Sequence, residues 1–468
     1  MAASRNKKPA DDSGGERLLS ALSSRLSCAD FSDACFGIAL SGGRDSIVLL
    51  DVLARLLPPS RLRVLHVHHG RSVHSDEWAA FCEAEAQARG LSATVYRVSV
   101  TPDGEGWEAA ARRARYAALA QAGCDVLVLA HHQDDQAETV LFRLCRGAGV
   151  AGLAGMSSEG FWGAQRLWRP LLDEPRGALG AYAVNRGLRW IEDDSNADAR
   201  FTRNFLRSEV LPLLETRFPG VSDRLARAAK HASEALSLLS AQARLAGADS
   251  DALNLRDYQS LPSDEQRNVL RYWLQAVGWP MPEARTLADW QSRLQVADQQ
   301  TSLLLPYPAG QILLWRGALM RVPHRSPPEQ PQPWSWASLA TGVAWGVGHL
   351  CSSVSGGDEG EEAVFSLSCR VSLMALKAAE AAGVPLTWRV RQGGERLQVA
   401  QNRPERSLQR HLQEADCPSI LRRQIPLLWS GETLVACPGV GVAYGWAPVG
   451  SEDALRVSWK LGESAWSR

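Results

Sequence analysis

Short apolar segments alternate with amphipathic segments through the first part of the chain. Continuous apolar runs predict strands at residues 36–40, 62–67, 94–100, 125–130 and 188–191. A helical period between them predicts helices at residues 47–57, 76–88, 107–121, 134–146 and 176–185. Apolar strands separated by helices of this length indicate βαβ units and a parallel sheet covered on both faces. We therefore expect an α/β domain with a doubly wound parallel sheet.

The pattern changes after this domain, and we expect further, smaller domains. Residues 204–246 have a helical period, and residues 253–322 mix a helix with short strands. A stretch rich in Pro, Ser and Gly follows, and such composition is typical of a linker. We predict a polar N-terminal extension (1–30), the α/β domain (31–220), a helical linker with a small helical or mixed middle domain (221–325), a linker region (326–385) and a small α+β C-terminal domain (386–468).

Composition indicates a soluble, cytoplasmic protein of several domains. The 468 residues are 45% hydrophobic and 22% charged, and we find no transmembrane span and no secretory signal. The nine cysteines are scattered without a C-x-x-C pair, which is typical of a reducing compartment and signals no zinc or redox site. A formal net charge of zero argues against indiscriminate nucleic-acid binding, although a local basic patch remains compatible with RNA.

A glycine-containing turn lies between the first predicted strand and the next helix. It comprises Ser41, Gly42, Gly43, Arg44, Asp45 and Ser46. Free backbone N–H groups and the helix dipole at such a turn attract phosphate, and the Asp45 carboxylate is suited to a magnesium ion. The Walker A spacing and its lysine are absent. The alternative is a simple helix cap, for which Ser, Asp and Gly are common.

Histidines and acids follow two other predicted strands, where ligands of open parallel sheets bind. His68 and His69 follow the second strand. The fourth leads into His131, His132, Asp134, Asp135 and Glu138. Asp135 and Glu138 are three residues apart and share a helix face, so they are suited to gripping a cationic amine. Helix capping with solvated acids and a metal cluster remain the alternatives.

Arginines supply candidate phosphate contacts. Arg112 and Arg115 lie on one predicted helix, and Arg203, Asn204 and Arg207 lie on a later one. Between residues 388 and 423 the chain carries eight arginines and four acidic residues, with Arg422 and Arg423 adjacent. Arginine with flanking tryptophan is suited to phosphate binding and base stacking. A solvated basic face is the alternative for the helix with Arg112 and Arg115 and for the stretch between residues 388 and 423.

Six segments in order resemble the tRNA(Ile)-lysidine synthase family of the PP-loop superfamily, the N-type ATP pyrophosphatases. They are SGGRDS, VHHG, EAAARRARY, AHHQDDQAETVLFRLCRGAGVAGLAGM, RPLL and WIEDDSNADARFTRNFLR. The resemblance continues through residues 267–282 and through ILRRQIPLLWSGETLVACPGVGVA. The first 30 residues and residues 326–362 have no family counterpart, and Arg71 stands where the family has an apolar residue.

The resemblance implies a PP-loop ATPase fold, ATP and Mg²⁺ as cofactors, and a CAU-anticodon tRNA(Ile) and L-lysine as partners. ATP would adenylate the C2 oxygen of the wobble cytidine, and the lysine ε-amine would then displace AMP to form lysidine. The modified tRNA would pair with AUA instead of AUG and change identity from methionine to isoleucine.

Carried onto this chain, the resemblance gives each candidate residue a role. ATP binding falls to Ser41, Gly42, Gly43, Arg44, Asp45, Ser46 and His68, with Asp45 holding the metal. Catalysis falls to Asp45, Arg112, His132, Asp135 and Glu138, with Asp135 and Glu138 binding lysine. RNA or phosphate contacts fall to Arg203, Asn204, Arg207, Arg422 and Arg423.

Three other functions fit parts of the sequence. A PP-loop tRNA 2-thiolation enzyme is expected to use paired cysteines, and a small-molecule synthetase would leave the basic C-terminal domain without a purpose. A catalytically silent RNA-binding protein would not need Asp45, Asp135 and Glu138. The sequence does not determine oligomeric state, and a homodimer is compatible with it.

Overall fold

The chain folds into two compact units, residues 1–237 and residues 238–468. The computed structural model describes residues 13–28, 31–70, 73–101, 107–192, 202–337, 342–354, 366–450 and 454–461. Arg71 and the whole DDSNADAR segment (193–200), both used in the sequence analysis, lie outside these ranges. Among the described residues, no helix combines the length and apolarity that a membrane crossing requires.

The first unit alternates strands and helices. Its strands are β1 (Phe36–Ala39), β2 (Leu62–His68), β3 (Ser92–Arg97), β4 (Val126–Val128), β5 (Glu159–Trp162) and β6 (Gln165–Trp168). The helices that begin in it are α1 (Ser13–Cys28), α2 (Arg44–Leu56), α3 (Ser75–Gln87), α4 (Trp107–Ala120), α5 (Gln133–Cys145), α6 (Val150–Leu153), α7 (Arg176–Asn185), α8 (Thr202–Phe205), α9 (Leu211–Arg217) and α10 (Val221–Leu245). A 3₁₀ turn covers Pro59–Arg61, and a π-helical turn covers Leu206–Val210.

The strands form one sheet in the order β3-β2-β1-β4-β6-β5, in which only the edge strand β5 is antiparallel. One face packs under α1, α2, α3 and α7, and the other face packs under α4. Helix α2 is buried at eight successive positions, from Ser46 to Leu53, because it lies in the middle of the first face. Helices on both faces of a mainly parallel sheet confirm the predicted doubly wound α/β fold.

The strand predicted at residues 188–191 is wrong. This segment follows α7 without joining the sheet, and the Ile191 N–H donates to the Gly42 carbonyl at 2.9 Å. The sheet instead gains the hairpin of β5 and β6, which the apolar pattern did not reveal because β5 is largely exposed on the edge. The apolar character of residues 188–191 reflects packing onto the Gly42 turn, where the Ile191 side chain lies.

The second unit contains four sheets. Its first sheet consists of β7 (Ala252–Asn254), β8 (Leu303–Tyr307), β9 (Gly310–Trp315) and β10 (Ala318–Pro323). The next eight strands are β11 (Gln332–Pro333), β12 (Val343–Trp345), β13 (Gly348–Val354), β14 (Ser366–Ser372), β15 (Leu386–Arg389), β16 (Arg396–Leu397), β17 (Arg406–Ser407) and β18 (Leu427–Ser430). The last three are β19 (Thr433–Cys437), β20 (Gly441–Val442) and β21 (Ala454–Leu461). Its helices are α11 (Leu255–Ser260), α12 (Ser263–Gln275), α13 (Ala284–Gln295), α14 (Leu373–Ala381), α15 (Leu408–Glu414) and α16 (Ser419–Arg422).

Helices α11, α12 and α13 cover the first of these sheets, whose order is β7-β10-β9-β8. Trp273 and Trp290 fill the core between helices and sheet. The larger core lies among the two sheets β11-β15-β18-β19-β20 and β12-β13-β21-β14. The middle and C-terminal regions therefore have the mixed and α+β character that the sequence predicts.

The predicted linker over residues 326–385 is wrong where the structure describes it. Strands β13 and β14 pair antiparallel with the two edges of β21, and Leu350 on β13 is fully buried in the larger core. Pro and Gly are concentrated before β11 and in turns such as Gly346, whose φ is +56°. Composition therefore predicted the turns correctly, but it did not indicate the strands β13 and β14 that lie between them.

Shortening Leu350 tests whether β13 belongs to the core. We expect Leu350→Ala to destabilise the second unit by about 2–5 kcal/mol, because it leaves a cavity beside β21. The measurement is urea unfolding followed by tryptophan fluorescence. Ser353→Ala is the matched control, since Ser353 lies on the same strand and is exposed, so its effect should stay within about 0.5 kcal/mol. Equal effects of the two substitutions would contradict the assignment of β13 to the core.

Candidate active site

The turn from Ser41 to Ser46 lies at the start of α2, where the sequence predicts an anion-binding site. Gly42 has a φ of +86°, and a Cβ there would lie 2.4 Å from the Ile191 side chain, so glycine is required. Gly43 is the N-cap residue, and no side chain caps this helix start in the described part of the chain. The Ser41 hydroxyl lies 3.1 Å from that of Ser46 and accepts from the Gly43 N–H at 3.3 Å. The first α2 amides are thus left for a ligand such as phosphate.

Two buried histidines support this turn and its surroundings. The His66 imidazole Nδ1 lies 2.9 Å from the carbonyl of Leu40, the residue before the turn, and fixes the end of β1. His68, predicted to line the nucleotide site, has its Nε2 3.3 Å from the carboxylate of Asp76 and 3.4 Å from Arg97, and its role stays a prediction. Side chains alternate between the two faces of the sheet along β2, so His66 and His68 lie on one face and residue 67 lies on the other. The prediction named His68 and gave His66 no role.

The carboxylate of Asp45, in the first turn of α2, faces the second polar block. Its Oδ2 lies 3.4 Å from His132 Nε2, and its Oδ1 accepts from Arg44 Nε at 3.1 Å. Burial raises the pKa of Asp45, but the hydrogen bond and charge of His132 together with Arg44 outweigh it and hold the pKa below its usual value. Asp45 is therefore ionised at neutral pH and is suited to a cation.

His132 is both the N-cap of α5 and the bridge between two carboxylates. Its Nδ1 accepts from the Asp135 N–H at 3.4 Å, and the Asp135 carboxylate accepts from the His132 N–H at 3.0 Å, which forms a capping box. Its Nε2 lies 3.5 Å from Asp135 Oδ2 and 3.4 Å from Asp45. Burial lowers the pKa of His132, but the hydrogen bond to Asp45 and the surrounding carboxylates raise it above its usual value.

Asp135 and Glu138 lie on one face of α5, as predicted, and both contact Arg207. Arg207 Nη2 donates to Asp135 at 2.7 Å and to Glu138 at 2.9 Å, and its Nε donates to the other Glu138 oxygen. Burial raises the pKa of Glu138 above its usual value, although Arg207 opposes this. Arg207, predicted to contact phosphate, pairs with both carboxylates in this structure, and its phosphate contact stays a prediction.

A group of arginines lies near His131 and His69. Burial lowers the pKa of His131 well below its usual value, and the charges of Arg169, Arg115, Arg112 and Arg203 lower it further. Burial and Arg115 lower the pKa of His69 to about 4. Both imidazoles are therefore neutral, and positive charge collects around them. Such a region is suited to phosphate groups.

Tyr116 orients the predicted catalytic residue Arg112. The Arg112 guanidinium donates to the Tyr116 hydroxyl at 3.3 Å and lies 5.1 Å from the centre of the Tyr116 ring. Tyr116 is buried one helical turn after Arg112 on α4. The EAAARRARY segment contains this i, i+4 pair, so the spacing was an available signal that the prediction did not use. Arg203 and Asn204, the predicted RNA contacts, both lie within α8 and are half-buried.

In the second unit, most arginines between residues 388 and 423 contact other groups of the same unit. Five of the eight arginines in this stretch form ion pairs with acids: Arg389, Arg391, Arg396, Arg406 and Arg410. Arg422 donates to the Cys417 carbonyl at 2.7 Å and stabilises the end of α16. Arg423 is exposed, so of the adjacent pair it is the better candidate for an RNA contact.

Three family models match successive parts of the chain. A PP-loop domain matches residues 17–214, a TilS substrate binding domain matches residues 253–320, and a TilS substrate C-terminal domain matches residues 386–459. The first match begins at residue 17, and α1 packs Leu18 and Leu22 into the core, so the expectation that the first 30 residues have no family counterpart is wrong for residues 17–30. This match contains the turn at Ser41–Ser46 and the polar block on α5, and the other two lie in the second unit.

Proteins similar to this chain over most of its length carry one name, tRNA(Ile)-lysidine synthase. The one from Azoarcus sp. strain BH72 is 37% identical over 91% of this chain and 92% of its own length. The one from Chromobacterium violaceum is 36% identical over 88% of this chain and 94% of its own. The one from Alkalilimnicola ehrlichii is 39% identical over 87% of this chain and 89% of its own. With such identity across all three matched domains, the chain belongs to the tRNA(Ile)-lysidine synthase family of PP-loop, ATP-using, tRNA-modifying ligases.

Proposed function

We propose that this protein ligates L-lysine to C2 of the wobble cytidine of a CAU-anticodon tRNA(Ile), through an adenylated cytidine. The observation that carries this proposal is the chain of contacts from Asp45 through His132 to Asp135, which Arg207 extends to Glu138. It joins an anion-binding turn to a pair of carboxylates suited to an amine. The names of the relatives point to the same reaction.

In the first half-reaction, the C2 oxygen of cytidine attacks the α-phosphorus of ATP. A C–O–P linkage forms, the bond to the β-phosphate oxygen breaks, and pyrophosphate leaves. The open amides at the start of α2 and the hydroxyls of Ser41 and Ser46 are placed to hold the pyrophosphate oxygens. Arg112, oriented by Tyr116, is placed to neutralise charge that develops on the α-phosphate.

In the second half-reaction, the ε-amine of lysine attacks C2, the C2–O bond breaks and AMP leaves. Asp135 and Glu138 attract the ε-ammonium group and place it next to His132. The amine becomes a nucleophile only after it loses a proton. The carboxylates of Asp135 and Glu138, which hold the ammonium group, lie within reach of that proton, and His132 orients Asp135.

A magnesium ion fits beside Asp45, although the protein supplies few ligands for it. Among the described residues, no group of three or more His, Cys, Asp or Glu is arranged to hold a metal. Mg²⁺ in nucleotide sites is commonly held by one or two carboxylates together with phosphate oxygens and water. The ionised and partly exposed Asp45 carboxylate at the turn meets that requirement. When bound, the ion would neutralise phosphate charge.

Lysine incorporation into tRNA tests the proposed function. We expect purified protein with Mg-ATP to transfer labelled L-lysine to unmodified CAU-anticodon tRNA(Ile), with release of pyrophosphate and AMP, and not to elongator tRNA(Met). Asp45→Asn should lower the rate of pyrophosphate release by at least about 100-fold, since it removes charge at the phosphate site. Asp76→Asn is the matched control, because Asp76 is an exposed carboxylate of the same unit, and its rate should stay near that of the wild type.

Measuring pyrophosphate release and lysine incorporation separately distinguishes the possible outcomes of this experiment. Pyrophosphate without lysine incorporation would support the phosphate turn and contradict lysine as second substrate. Absence of pyrophosphate with every tRNA would contradict adenylation and favour a silent RNA-binding protein.

Lysine affinity should depend on pH through Glu138. The raised pKa of Glu138 means that it takes up a proton at a higher pH than an ordinary glutamate does. Protonation removes one of the charges that attract the ε-ammonium, so the KM for lysine should rise as the pH is lowered towards the raised pKa of Glu138. Initial rates at saturating ATP and tRNA measure this. Glu138→Gln should raise the KM at high pH and flatten its pH dependence, whereas an unchanged profile would contradict the role of Glu138.

A further inference from the structure

Two cysteines meet at the start of the central strands of the first unit. The Cys35 Sγ lies 4.0 Å from the Cys124 Sγ. Cys35 immediately precedes β1, and Cys124 lies two residues before β4, which is the direct neighbour of β1 in the sheet. The two cysteines are 89 positions apart in the chain, so no local motif such as C-x-x-C reveals the pair.

Hydrogen bonds fix the backbone around this pair. The Cys35 N–H donates to the Asp125 carboxylate at 2.7 Å, and the Val126 N–H donates to the Cys35 carbonyl at 3.2 Å. The Gln165 side chain donates to the Cys124 carbonyl at 3.1 Å. Neighbouring strands lie about 4.8 Å apart, and disulfides join residues whose Cα atoms are about 4.4–6.8 Å apart. The spacing of adjacent strands therefore suits a disulfide.

The glycine at position 37 leaves room for the Cys124 sulfur against β1. A Cβ on Gly37 would lie 3.2 Å from the Cys124 Sγ and 2.6 Å from the Leu65 side chain. The Cys124 side chain is therefore turned towards β1, which brings its sulfur to Cys35. Because an S–S bond is about 2.0 Å long, the two sulfur atoms need to approach each other by only about 2 Å.

The two thiols differ in their access to solvent. Cys35 is half-buried, whereas Cys124 is 6% exposed. Burial raises the pKa of the Cys124 thiol to about 12, and the neighbouring Cys35 adds to the rise while the charge of Arg63 opposes it. Cys124 therefore stays protonated at neutral pH. A dissolved oxidant reaches Cys35 first, and Cys124 is placed to complete the reaction.

We propose that Cys35 and Cys124 form a site of oxidative modification that reacts with a peroxide and becomes a disulfide. The Cys35 sulfur attacks one oxygen of hydrogen peroxide, the O–O bond breaks, and the departing hydroxide takes the thiol proton to form water. The Cys124 sulfur then attacks the sulfur of the resulting sulfenic acid. The S–O bond breaks, and the departing hydroxide takes the Cys124 proton to form a second water. The two thiols together lose two electrons, and the peroxide gains them.

This bond joins β1 to β4 at the ends of the strands that lie opposite the candidate active site. The Ser41–Ser46 turn and His131 follow the other ends of the same two strands, and about 20 Å of extended chain separates Cys35 from Ser41. A cross-link between residues 89 positions apart restricts the unfolded chain far more than the folded one. Oxidation should therefore raise the thermal stability of the first unit and leave its catalysis unchanged.

Peptide mapping of the full chain tests the site. Reduced protein is treated with hydrogen peroxide, residual thiols are alkylated, and a non-reduced tryptic digest is analysed by mass spectrometry. We expect a cross-linked pair of peptides that dithiothreitol separates. Fragmentation must assign the link to Cys35 and Cys124, since Cys28 shares the tryptic peptide of Cys35. Cys35→Ser should abolish the link. Cys145→Ser, which removes an exposed thiol of the same unit, is the matched control and should leave the link unchanged.

Thermal unfolding followed by circular dichroism measures the effect of the bond. The oxidised wild type should unfold at a temperature at least about 4 °C higher than the reduced protein, and dithiothreitol should reverse the shift. The same peroxide treatment should give Cys124→Ser no such shift. Lysine incorporation into tRNA by the oxidised wild type should stay near that of the reduced protein.

The adverse results are distinguishable from one another. Sulfinic or sulfonic acid at Cys35 beside an unmodified Cys124, or a link from Cys35 to another cysteine, would overturn the proposed pairing. A Cys35–Cys124 link without a higher unfolding temperature would overturn the stabilising effect. A loss of lysine incorporation that dithiothreitol reverses would contradict the separation from the active site. Absence of incorporation in both forms would count against the proposed function alone, since formation of the link does not depend on it.

Discussion

The contact of one imidazole with two carboxylates organises the whole candidate site. His132 begins α5, caps it reciprocally with Asp135, and reaches across to Asp45 at the start of α2. The two helices follow adjacent parallel strands, β1 and β4, so their N-termini meet at the same edge of the sheet. The Ser41–Ser46 turn and the Asp135–Glu138 pair therefore keep a fixed distance, which suits the two proposed chemical steps on one cytosine base.

The electrostatics around this contact separate into two regions. Asp45, Asp135 and Glu138 collect negative charge beside His132, whereas Arg112, Arg115, Arg169 and Arg203 collect positive charge beside His131. Cations and amines suit the first region and phosphates suit the second. The neighbouring residues His131 and His132 stand at the boundary, and their pKa values are shifted in opposite directions because each faces a different region.

Local features were predictable from the sequence, whereas distant pairings were not. The Ser41–Ser46 turn and the Asp135–Glu138 face depend on residues within a few positions, so strand ends and helical spacing sufficed to find them. Arg207 could be recognised as a candidate but not paired, since its carboxylates are about seventy positions away. Strands β13 and β14 were missed for the same reason. Their partner β21 lies about a hundred positions later, and amino-acid composition does not indicate which strands pair.

Strand β21 also determines the order in which the second unit can assemble during synthesis. It forms the middle of the β12-β13-β21-β14 sheet and contributes Trp459 to the core. Ribosomes release the chain from its N-terminus, so β13 and β14 emerge well before β21 is made. Until then both strands present unpaired edges and apolar side chains, which favour non-native pairing. Completion of this sheet therefore waits for residues 454–461, which are made after every other strand of the sheet.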